Sequence, residues 1–132
     1  MSDIALPVFA DEHGDLSIFD SVDAMDRQLE AIDVENDEYE FFDAEGRTLA
    51  THVDTRSGRV TFRIDDEQPA DPARLAARLR SYFQRLPPHL EAFRVRAEAA
   101  SSLESLVALR QELERQPKPR LLGRWRRGLR RD

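Results

Sequence analysis

The spacing of apolar positions changes period along the chain, and each change marks an element. Residues 1–15 hold Pro7, Gly14 and scattered acids without a sustained period, which reads as an irregular lead-in. Leu16–Asp20 is a short apolar run bounded by Gly14 and Ser21 and predicts a first strand. Val22, Met25, Leu29 and Ile32 then recur at +3, +7 and +10, one apolar face of a helix that Asp20 or Ser21 can cap. After Asp33 the period falls to two, predicting strands at 39–43, 48–54 and 59–65. Glu45-Gly46 and Ser57-Gly58 supply the turns between them. Val60, Phe62 and Ile64 form an inward face, with Thr61 and Arg63 opposite. Tyr39-Glu40-Phe41-Phe42 alternates less cleanly, as expected of a strand covered on both sides or bulged.

Asp71-Pro72 is a strong helix start, a capping carboxylate followed by proline at the first helical position. Leu75, Leu79, Tyr82, Phe83 and Leu86 continue at +4, +7, +8 and +11 until Pro87-Pro88 stops the helix. From 88 to 116 the chain is rich in Ala, Leu, Glu and Arg, predicting one long helix with Ser101-Ser102 as its weakest point and Leu103, Leu106, Val107 and Leu113 as its buried stripe. The expected fold class is α+β: an antiparallel sheet of about four strands, one helix after the first strand and two C-terminal helices covering one sheet face. The expected division is a single domain over 1–116, with sheet and first helix at 16–65 and a helical part at 71–116, followed by a basic amphipathic tail at 117–132.

Charge changes this picture. The net charge of −6 hides a division, because residues 1–70 carry 19 acids against 5 bases and residues 71–132 carry 7 acids against 15 bases. Such asymmetry reports a partner surface or a tail folded onto its own body. No cysteine is present, which excludes a disulfide framework, a thiolate nucleophile and Cys-based zinc binding. No apolar run approaches the ~18 residues of a bilayer span, and the first residues carry acids where a secretory signal carries bases. The expected location is the cytoplasm.

Catalytic patterns are missing. His13, His52 and His89 lie far apart without metal-ligand spacing, and there is no nucleophile elbow, P-loop or dinucleotide fingerprint. The acids from Asp33 to Asp37 alternate like a calcium loop, but Glu38 stands where glycine is required and Ala44 where glutamate is required. No enzyme activity, metal or cofactor is expected. What stands out is a row of acids beside the apolar stripe of the first helix: Asp23, Asp26, Glu30 and Asp33, continued by Glu35, Asp37 and Glu38. Such a row is either a solvated face or a docking surface for a basic protein partner, with carboxylates occupying ground evolved for phosphates.

The stretch LSIFDSVDAMDRQLEAIDVENDEYEFFDAEGRTL, residues 16–49, resembles small bacterial immunity proteins encoded in polymorphic toxin neighbourhoods. The likeness lies in a strand, an S-V-x-x-A/M-x-x-x-L-E helix, an I-D-V-x-N-x-E-Y segment and an F/Y-D-A-E-G-R turn. The resemblance implies an intracellular antidote that sequesters a toxin domain.

The Arg-rich C-terminal segment is the rival site. Leu121, Leu122, Trp125 and Leu129 would form an apolar side, with Arg120, Arg124, Arg126, Arg127 and Arg130 around it. This basic amphipathic pattern suits an adaptor for nucleic acid or an anionic membrane, or a segment docked on the acidic half.

Overall fold

A computed structural model describes residues 3–29, 34 and 38–117. The elements run β1 (Val8–Glu12), β2 (Asp15–Phe19), α1 (Val22–Gln28), β3 (Glu40–Phe42), β4 (Leu49–Asp54), β5 (Arg59–Ile64), α2 (Pro72–Gln84), a 3-10 turn (Pro88–Leu90), α3 (Glu91–Ala99) and α4 (Leu103–Glu114). The α+β class is as expected. All strand pairs are antiparallel: β2-β1-β3 form one sheet and β4-β5 a second. Among the described residues a single bridge, Phe42 to Thr48, joins them at the turn between β3 and β4.

The expected lead-in contains the central strand. Val8, Phe9 and Ala10 are almost fully buried, with Phe9 opposite Ile18 on one side and Phe42 on the other. A strand covered on both faces shows no alternation, so its three apolar residues carried no period to detect. His13 and Gly14, both at positive φ, close the tight β1–β2 turn, and Asp11 Oδ1 accepts from Gly14 N at 2.7 Å.

The β2-β1-β3 sheet is packed on both faces, where cover on only one was expected. Phe9, Leu16 and Phe42 meet Leu75, Leu79 and Phe83 of α2 and Leu106 of α4 on one face. Val8, Ala10 and Phe41 meet Met25 and Leu29 of the α1 segment, with Leu49 and Val60, on the other. Phe41 and Phe42 are buried in opposite cores, which accounts for the poor alternation there.

Two helix boundaries differ from expectation. Ser21 caps α1 by accepting from Ala24 N at 3.1 Å, but the helix ends at Gln28 because Leu29 is already extended. The predicted single helix from 88 to 116 is two helices. Ser102 and Ser105 form a reciprocal capping box that starts α4, and Ala100 before it is extended. Serines cap better than they propagate, so the weakest point of the run became a corner. Asp71 does cap α2, through Arg74 N at 3.0 Å.

Asp43 locks the junction between the sheets. Its fully buried carboxylate accepts from Glu45 N and Arg47 N at 3.0 Å each, Ala5 N at 3.2 Å and Arg47 Nε at 2.7 Å. Gly46, at φ +81°, lies so close to α2 that a Cβ there would sit 2.6 Å from Pro72 Cα. The D-A-E-G-R turn is therefore a structural joint.

Candidate functional site

The acidic row is divided by the fold. Asp23 lies in the first turn of α1 and is exposed, whereas Asp26, one turn on, is buried. Asp26 Oδ1 accepts from Val60 N at 2.7 Å and Oδ2 from Arg59 Nε at 2.7 Å. The expectation that Asp26 stands in an exposed row is thus corrected: it belongs to the packed side of α1 with Met25. The physical reason is an edge strand. Val60 N points away from β4, and a buried amide needs an acceptor, which the helix carboxylate supplies.

Glu30, Asp33, Glu35 and Asp37 lie outside the described residues. Glu38 faces the β1–β2 turn, with His13 Nε2 3.1 Å from its Oε1. Arg120, Arg124, Trp125, Arg126, Arg127 and Arg130 also lie outside the described residues. Among the described residues the exposed acids nearest Asp23 in sequence include Asp20, and neither Asp20 nor Asp23 has an ion-pair partner there.

Part of the charge division is used internally. Arg78 of α2 bonds Asp11 and, at 2.6 Å, Glu40, and Arg74 bonds Glu40 as well. The Arg78 and Arg74 guanidiniums lie over the Phe42 ring, at 5.2 and 5.4 Å from its centroid respectively. Burial pulls the Arg78 guanidinium down, but its bonds to Glu40 and Asp11 outweigh that and hold it above the ordinary arginine value. Arg85 Nη2 donates to Gly14 O at 2.6 Å. Arg110, fully buried on α4, donates to Leu16 O at 3.2 Å and lies 4.7 Å from the Tyr82 centroid. Arginines of the basic half thus fasten helices to the sheet and offset Asp11 and Glu40, leaving most of the acidic excess of residues 1–70 in place.

An open cleft of about 480 Å³ lies between α1 and the β4–β5 turn, lined by Asp23, Asp26, Arg27, Leu29, Gly58 and Arg59. Beside it, the outward face of β5 carries Arg59, Thr61 and Arg63, all exposed. This small basic strip in an acidic half was overlooked in the sequence, although the alternation of Arg59, Thr61 and Arg63 is its signal. At the turn itself Asp54 is held below the usual aspartate value, first by the N–H of Arg56 and then by Ser57.

Among the described residues no three His, Cys, Asp or Glu side chains converge in a way that could hold a metal ion. No described helix is long and apolar enough to cross a membrane. Comparison with protein-family models, with curated proteins and with solved structures returns no match.

Proposed function

We propose that this chain is a non-enzymatic binding module of the immunity type, an antidote that occludes a basic toxin or nuclease domain. The observation that carries the reading is the anionic excess that survives internal pairing. Residues 1–70 hold 19 acids against 5 bases, and Arg74 and Arg78 of the other half are spent on Asp11 and Glu40. Asp20 and Asp23, exposed where β2 enters α1, anchor the contact surface. Glu30, Asp33, Glu35 and Asp37 extend it in sequence, and Asp26 is withdrawn from it.

Inhibition by such a surface is stoichiometric. Opposed potentials raise the encounter rate, and the bound domain then covers the partner's phosphate-binding ground without chemistry. The test is co-expression with the product of the adjacent open reading frame. That product is expected to arrest growth alone, to be tolerated with this chain present, and to elute with it as a one-to-one complex. Reversing Asp20 and Asp23 to Lys is expected to weaken that complex about tenfold or more at low salt while leaving the thermal midpoint nearly unchanged. A harmless or non-binding neighbour, or affinity indifferent to both reversals, refutes the proposal.

A further inference from the structure

The hydrogen-bond phase of β5 leaves part of its outer edge without a partner among the described residues. Asp65 N donates to Thr48 O at 2.9 Å, and Val60 N is turned to Asp26. In an antiparallel pair inward and outward residues alternate, so Thr61 and Arg63 face β4 with their backbone groups, while Val60, Phe62 and Ile64 face outward. Among the described residues β5 pairs with no strand but β4. The Val60 amide is taken, yet no described residue hydrogen-bonds the backbone of Phe62 or Ile64. Edges left in this state are templates for strand addition unless charge or cover blocks them.

We infer that the Phe62–Ile64 edge of β5 accepts an extended segment of a partner protein whose residues alternate apolar and acidic. The backbone would supply paired N–H and C=O bonds at Phe62 and Ile64. Side chains opposite those two residues fall on the inner face, beside the half-buried Phe62 and Ile64, and are therefore apolar. Side chains opposite Thr61 and Arg63 fall on the outer face. There Arg63 is exposed with no ion-pair partner among the described residues, and Arg59, although it bonds Asp26, keeps 64% of its side chain exposed. An acid opposite Arg63, and one opposite Thr61 within diagonal reach of both arginines, complete the match. Asp65 follows on the same outer face, so the residue opposite it is neutral or basic.

Charge and hydrogen bonding disfavour the other occupants. A second copy paired through Phe62 and Ile64 would set Arg63 against Arg63, and a register centred on Phe62 would need the two Val60 N–H groups that Asp26 already holds at 2.7 Å. The Arg-rich segment from residue 120 onward carries the same sign as Arg59 and Arg63. The inference is independent of the antidote reading, which concerns the acidic surface and a basic partner.

The probe is the capped pentapeptide Lys-Val-Glu-Val-Glu, with its charge reversal Glu-Val-Lys-Val-Lys as control, added to the full chain. Residue-resolved amide exchange is expected to be fast at Phe62 and Ile64 in the free protein and slowed by the acidic peptide, with Val60 protected throughout. Arg63→Glu is expected to weaken the acidic peptide about tenfold and to favour the reversed one. Ile64→Pro, which removes an outward N–H together with a half-buried side chain, is expected to abolish binding while the Val60 amide stays protected. Protection of Phe62 and Ile64 without peptide overturns the inference: a concentration-independent effect means the chain covers its own edge, and one that grows with protein concentration means a second copy does. Equal affinity for both peptides, or no slowing at either residue, overturns it too.

Discussion

Replacing Asp26 by Ala separates the two meanings a helix carboxylate can have. If Asp26 belonged to a solvated row, its loss would cost no more than that of Asp23, a few tenths of a kcal/mol from the helix dipole. In the fold it accepts two bonds of 2.7 Å, one from the backbone of Val60 and one from Arg59. Val60 is 2% exposed, so without the carboxylate its N–H is left buried and unpaired. A charge-assisted bond to a buried donor contributes about 1.5–3 kcal/mol. The Arg59 side chain is 64% exposed, so the ion pair adds at most about 1 kcal/mol. The expected cost of Asp26→Ala is therefore about 2–4 kcal/mol, against about 0.5 kcal/mol or less for Asp23→Ala. Urea unfolding followed by far-ultraviolet circular dichroism measures both. With an m-value of about 2 kcal/mol/M, the Asp26 midpoint should fall by roughly 1–2 M and the Asp23 midpoint should barely move. Equal, small shifts would show that Asp26 faces solvent and that β5 lacks its clamp. Because Asp26 is structural in this account, its substitution is a test of folding, and partner contacts are better probed at Asp20 and Asp23.

Three further outcomes follow from particular contacts. Gly46→Ala places a Cβ 2.6 Å from Pro72 Cα, between backbone segments that cannot yield, whereas Gly58→Ala at φ +73° meets nothing within 4 Å. The first should cost several kcal/mol, if it folds at all, and the second about 1 kcal/mol; comparable thermal midpoints for the two would contradict the packing of the D-A-E-G-R turn on α2. Glu112 is held below the ordinary glutamate value by its bonds to Arg96, at 2.6 and 2.9 Å, which tie α4 to α3. Its folded value is the lower one, so its stabilising contribution is present above about pH 4.5 and is lost as pH falls through the folded midpoint. Carboxyl-detected titration should find Glu112 below the usual range and Arg96→Ala should raise it; an unmoved midpoint would mean the pair does not form in solution. Arg110→Ala removes a fully buried guanidinium from Tyr82, Leu16 O and Glu114, whose Oε1 accepts from Arg110 Nη1 at 2.9 Å, and should cost about 3 kcal/mol or more, while Arg110→Met, which keeps most of the volume, should cost about half as much. Equal losses in denaturant melts would assign the effect to the polar contacts with Leu16 O and Glu114 and not to packing.

How much of this was legible depends on whether a signal is local. The strands β4 and β5, the Asp71-Pro72 cap and the Ser21 cap rest on short-range patterns and appear in the fold where the pattern placed them, although burial alternates cleanly only in β5 and Thr51 of β4 is exposed. β1 was illegible because burial on both faces erases alternation, and its acids, Asp11 and Glu12, resemble loop residues until Arg78 is known to stand over Asp11. The break at Ser101-Ser102 was visible as a weakness, but whether a weak point bends or breaks depends on what packs on either side: α2 against both α3 and α4. The acidic row shows the limit most clearly. Helical spacing determined that Asp23 and Asp26 share one side of α1, because 3.6 residues per turn is a property of the backbone alone. Which of them faces water was decided by tertiary structure, since the orphan amide of Val60 lies 34 residues away and only the folded chain brings it beneath Asp26.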